Sequence, residues 1–174
     1  MIESMRTCLP AVSQICVMCS VLAVSFVPES GLAQDSSCKT VLAAQLHQLS
    51  VPYHAHSTVT LVPGKSEPSE EISTGKALYI LQVGKWTVSP ITAAEMLQQQ
   101  QDNIKNAKMA CRAVRDETVD GVSATLYSVH TEINDIASDA QIWISKSTGL
   151  PVLLKMDAIE SHYVYADVVA PIVR

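Results

Sequence analysis

The sequence predicts an α+β fold built on a mostly antiparallel sheet, and three observations predict it. Two stretches, 35–49 and 93–108, carry apolar residues at helical spacing, while most of the remainder alternates with period 2. Hairpin signals recur between the alternating stretches, at Asp120-Gly121 and Thr148-Gly149. Connections that short join antiparallel neighbours, because a parallel crossover needs about a dozen residues or more.

The chain has 174 residues and a formal net charge of -5, a length that suits one domain. Hydrophobic content of 48% against 17% charged residues excludes a disordered chain. Part of that apolar content lies at the N-terminus. Residues 15–27 (ICVMCSVLAVSFV) fall short of the ~20 residues a membrane span needs and read as the h-region of a signal peptide. Gly31 and Ala33 around Leu32 place cleavage after Ala33, so 1–33 is expected to leave and 34–174 to fold as one domain. A start at Met5 would give a cleaner Met-Arg-Thr leader. The mature part would carry a charge of about -4. Its scattered Lys and Arg form no basic patch, which excludes nucleic acid as a partner. No other stretch suits a transmembrane segment.

Cys8, Cys16 and Cys19 would leave with the leader, and Cys38 and Cys111 remain. Cys38 follows Asp-Ser-Ser and lacks the pattern of a lipoprotein cleavage site, so the expected product is a soluble periplasmic protein. Two cysteines in an oxidising compartment usually pair, the alternative being two separate buried thiols. A Cys38–Cys111 bridge would tie the first helix to a central strand and contribute about 3–5 kcal/mol in the chain-entropy model.

Taken in order, Asp35, Ser36 and Ser37 offer N-cap oxygens for a helix to about Leu49, with Cys38, Leu42, Leu46 and Leu49 as its core-facing stripe. Residues 53–62 then alternate, with Tyr53, Ala55, Val59 and Leu61 on one face and His54, His56, Thr58 and Thr60 on the other. The polar stretch 65–71, with Pro68, reads as a mobile hairpin loop and 72–83 as a strand. Gly84-Lys85 reads as a tight turn before a short strand over 86–89.

Thr92 and Glu95 form a capping box, with Ile91 and Met96 placed as a hydrophobic staple, so a helix starts at Ala93 and runs to about Lys108. Its stripe of Met96, Leu97, Ile104 and Ala107 is thin, which suits a helix lying on a sheet. Strands over 110–119 and 121–133 pair about Asp120-Gly121, and 134–138 reads as a polar loop. Strands over 140–146 and 150–156 pair about Thr148-Gly149, and the last strand covers 162–169. The tally is two helices and about 7–8 strands. Ile142 and Ile144 alternate with Trp143, so both sheet faces are apolar there and need cover, a partner or a cavity.

His54 and His56 share a strand face and could chelate a metal with a third ligand such as His130 or His162. A pair alone reads better as polar residues on a solvated face, so no metal and no cofactor are expected. Ser36 and Lys39 have the Ser-x-x-Lys spacing without its companion motifs, and Ser36 reads as a cap. Cys111 as a nucleophile loses to the bridge, and Asp116, Glu117 and Asp120 read as solvated hairpin charge. The chain has no nucleophile elbow, phosphate loop, dinucleotide fingerprint or His-Glu-x-x-His, and the expectation is not an enzyme. The tryptophans, Trp86 and Trp143, read as core filling or as the lining of an apolar cleft.

The run Ile142-Trp143-Ile144-Ser145, then Thr148-Gly149-Leu150-Pro151, then Tyr163 and Asp167-Val168, resembles the C-terminal half of LolA-like exported proteins, the periplasmic lipoprotein carriers and their relatives. The Asp120-Gly121 hairpin fits the same pattern. The resemblance implies a strongly curved antiparallel sheet, an incomplete barrel, with two helices over its concave face and apolar groups held between. The mature chain is short for a lipoprotein carrier and has no phenylalanine, since Phe26 belongs to the leader. A smaller relative is therefore expected.

The functional expectation is a periplasmic, non-enzymatic protein that binds a lipid or other apolar ligand between sheet and helices. Tyr79, Leu81, Leu97, Ile104 and Trp143 are the expected lining. The alternative is an envelope interaction module with a filled core that docks a protein partner. Whether the space under the helices is open or filled separates the two.

Overall fold

The computed structural model describes residues 30–173, with side chains from Ser36 onward. Of the expected leader, 1–33, residues 1–29 lie outside the described residues, and 30–33 begin the first helix. The first helix, α1 (Ser30–Ser50), begins upstream of the caps expected at 35–37. Leu32, Ala33 and Gln34 are good helix formers, so a helix that includes them runs through those positions. The strands β1 (Tyr53–Val62), β2 (Lys65–Ser73), β3 (Leu78–Gln82) and β4 (Lys85–Val88) follow. After α2 (Ala93–Asn106) come β5 (Lys108–Val119), β6 (Val122–Ile133), β7 (Ile136–Ser145), β8 (Pro151–Met156) and β9 (Ile159–Val164). No helix among the described residues is long and apolar enough to cross a membrane.

The nine strands form one sheet in the order β4-β3-β2-β1-β9-β8-β7-β6-β5. Every pair is antiparallel. β4 and β5 stay at opposite edges, so the sheet curves without closing into a barrel, and the helices cover its concave face. Register shifts at Thr60/Val62, Ala113/Arg115 and Trp143/Ile144 supply local bends.

Nine strands replace the expected 7–8 because the stretch read as a mobile loop is β2. Its N-terminal half is polar on both faces, and only its last residues, from Glu70 to Ser73, pair with β3. Pro68 pairs across to Thr58 on β1 and has no β3 neighbour, so its missing N–H leaves no sheet acceptor unmet on that side. The expected single strand over 72–83 is thereby split between β2 and β3. The expected loop over 134–138 is a tight turn at Asn134 and Asp135, both at positive φ, and β7 starts at Ile136. The Asp120-Gly121 turn is as expected, with φ of 49° and 80°. The last strand ends at Val164, short of the expected Val169.

Both sheet faces carry a core. Under α1, Val41 and Ala44 pack on Cys111, Val129, Ile142 and Ile144. The bridge between Cys38 and Cys111 forms as expected and brings their Cα atoms to 5.0 Å. So close an approach rotates the buried stripe of α1 onto the smaller Val41 and Ala44, while Leu42, Leu46 and Leu49 are half-buried. On the opposite face, Trp143 packs with Ala124, Leu126, Val152 and Leu153.

Candidate functional site

The space between the helices and the sheet is not filled. Two adjoining chambers share Gln45, Gln100 and Leu154 in their walls. The first has a volume of about 170 Å³ and lies between the two helices and β5–β8. Leu42, Ile104, Met109, Val129, Ile142 and Leu154 give it an apolar wall. The period-2 rule builds that wall: Met109 on β5, Val129 on β6, Ile142 on β7 and Leu154 on β8 all project toward α1.

The second chamber, of about 260 Å³, lies over β2, β1 and β9. Its floor is polar. Tyr53 and Ala55 of β1 alternate with the outward-facing histidines, and the register sets Ala55 between Glu71 and Tyr163. The Tyr53 hydroxyl donates to the Glu71 carboxylate. Burial, then the charge of Glu71, push the Tyr53 phenol far up from its ordinary value. Tyr163 meets Tyr53 edge to face at 6.1 Å, is hydrogen-bonded to Gln48 and Ser161, and is itself pushed up by burial. Ser161 and Ser57 pair through their hydroxyls at 2.7 Å. Among the described residues lining this chamber there is no lysine or arginine, so Glu71 is its one formal charge.

The lid over both chambers is α2. Its capping box forms as expected: Glu95 N donates to Thr92 Oγ1 at 3.2 Å, and Thr92 N donates to Glu95 Oε2 at 2.8 Å. Those bonds to Thr92 hold the Glu95 carboxyl below its ordinary range. The helix buries no residue and docks on α1. Gln100 and Asn103 turn inward beside Ile104, and Met96 reaches the polar chamber.

Of the five residues expected to line a cavity, Ile104 does so. Leu97 is half-buried on α2 but lines neither chamber. Tyr79 and Leu81 pair with Ile72 and Glu70, which share the outer face with His54 and His56. The expectation that they meet the helices is therefore corrected: they point to the other side of the sheet. Trp143 is corrected in the same way, being buried in the outer-face core with its indole N–H donating to Glu117. Sequence reasoning misses the polar floor, although alternation puts Tyr53 and Ala55 on one face. Only the β1–β9 pairing brings Ser161 and Tyr163 beside them.

The outer face holds a third cavity of about 240 Å³, lined by His54, His56, Trp86, Val164 and the chain after β9. The third donor beside the histidine pair is Glu70, and neither His130 nor His162 joins it.

No family model matches the chain, and no curated protein matches it. Among solved structures, the crystal structure of LprF from Mycobacterium bovis aligns over 80% of this chain and 98% of that one, at 12% identity and a TM-score of 0.45. At that score nothing about ligand or activity passes from one protein to the other.

Proposed function

We propose that this protein is an exported, non-enzymatic binding module that holds an amphiphile between α1, α2 and the sheet. The carrying observation is the adjoining pair of chambers, one with an apolar wall and one with a polar floor, separated by the side chains they share, under a helix that buries no residue of its own. An acyl or comparable apolar tail would take the side of Ile104, Val129, Ile142 and Leu154, gaining roughly 25 cal/mol for each Å² removed from water. The polar head would meet Tyr53, Glu71, Ser161 and Tyr163. One carboxylate without a nearby lysine or arginine in the lining favours a neutral, hydroxyl-bearing head over an anionic one. Swinging α2 outward exposes only half-buried side chains such as Met96, Leu97 and Ile104, which gives the tail a route in. Export is supported by the Cys38–Cys111 bridge, a bond that persists in oxidising compartments.

The test is native mass spectrometry of the protein released gently from the periplasm of an expressing bacterium, followed by uptake of a fluorescent monoacylglycerol and a fluorescent fatty acid. A bound amphiphile, or uptake of the acylglycerol in preference to the acid, supports the reading. A clean apo mass with no uptake of either probe refutes it.

A further inference from the structure

We infer that His54, His56 and Glu70 form a binding site for a divalent transition metal of the zinc class on the outer face of the sheet. The β1–β2 register builds the site. His54 and His56 are two residues apart and so share a face, and Glu70 is the cross-strand partner of His56 and lies diagonally from His54. Their metal-binding atoms all lie within 4.8 Å of one another. Glu70 Oε2 is 2.8 Å from His54 Nε2 and 3.8 Å from His56 Nδ1. Zinc bonds imidazole nitrogen and carboxylate oxygen at about 2.0–2.2 Å, which places tetrahedral ligands about 3.3–3.6 Å apart. The observed separations bracket that range, so small side-chain rotations admit the ion.

The surroundings are those of an open site. The two imidazole rings lie 3.9 Å apart, tilted by 38°, and Trp86 meets His54 edge-on at 6.3 Å. Both histidines line the outer-face cavity of about 240 Å³, so a fourth coordination position opens toward it. Asp167, at φ 54°, stands in the wall of the same cavity. Two imidazoles and one carboxylate suit zinc, and copper or nickel by the same donor set. Calcium and magnesium, which take oxygen ligands, do not fit. The site lies on the opposite face from the ligand chambers, so it stands or falls independently of them.

The test is titration of chelator-treated protein with Zn(II) against a chromophoric competitor. One equivalent is expected to bind, and His56→Ala and Glu70→Gln are each expected to weaken it about tenfold or more, the loss known even for partners outside the ligand shell. His130→Ala is expected to leave binding unchanged. His56 is half-exposed, so its loss spares the core. An independent reading comes from Cu(II), which should quench Trp86 emission, and Trp86→Phe should remove the quenched component. Zinc affinity within twofold of wild type in the His54→Ala/His56→Ala double variant, or a copper quench that survives in Trp86→Phe, overturns the assignment.

Discussion

The Nδ1 atom of His162 on β9 lies 2.6 Å from the Asp120 carboxylate at the tip of the β5–β6 hairpin, two strands beyond its own sheet neighbour β8. The long hairpin therefore curls over the outer face, and this bend shelters Trp143 and Leu153. Nε2 of His162 meets Glu160 at 3.1 Å, and Glu160 in turn holds Lys155. The hydrogen bond to Asp120, supported by Glu160 and opposed by desolvation, raises the His162 pKa above the usual 6.5. A group whose pKa is higher in the folded state than in the unfolded one stabilises the fold fully below the unfolded value. It loses that contribution as pH rises through the folded value. Urea midpoints should therefore fall as pH rises from about 6 to 8 through this group's titration. Asp120→Asn should flatten that slope. An equal slope in both proteins would mean that the hairpin contact carries no linkage.

The Cys38–Cys111 bridge spans 73 residues of sequence. In the chain-entropy model a loop of that size contributes about 4 kcal/mol. The Cys38→Ala/Cys111→Ala protein should lose stability of that order in urea unfolding, and α1 should loosen before the β6–β7 pair. Amide exchange would show the order. A loss near zero would mean that Val41 and Ala44 alone dock the helix.

Thr92→Ala removes the N-cap of α2, a change worth about 1 kcal/mol of helix stability. Because α2 buries no residue, the loss should be local. Exchange of its amides should speed about fivefold while the β-sheet amides keep their rates. If α2 were clamped by the sheet, its exchange would follow global unfolding instead.

Much of this fold is legible in the sequence because its signals are local. The capping box at Thr92 and Glu95 and the Asp120-Gly121 turn each depend on a few neighbouring residues, while the distant Cys38–Cys111 pairing is legible from the cysteine count alone. The cavity is less legible, because which face of a strand meets the helices depends on pairing between distant strands. Tyr79 alternates correctly within β3. Its side follows from facing Ile72, which faces His54, and that chain of partners passes through β2, a strand masked by its polar composition and Pro68. Ser161 and Tyr163 join the site in the same non-local way, through β9 lying beside β1. Ile104 was readable because a helix stripe reports its own inward face.

The most direct measurement of the central claim is the affinity of a fluorescent monoacylglycerol for wild type and for Ile104→Glu. Ile104 faces the apolar chamber from a helix with no buried residue, so the substitution places a charge in the chamber without disturbing the core. Saturable binding to wild type, weakened about tenfold or more in Ile104→Glu with an unchanged urea midpoint, is the predicted result. Equal affinity in the two proteins, or no saturable binding to wild type, would contradict a ligand held between the helices and the sheet.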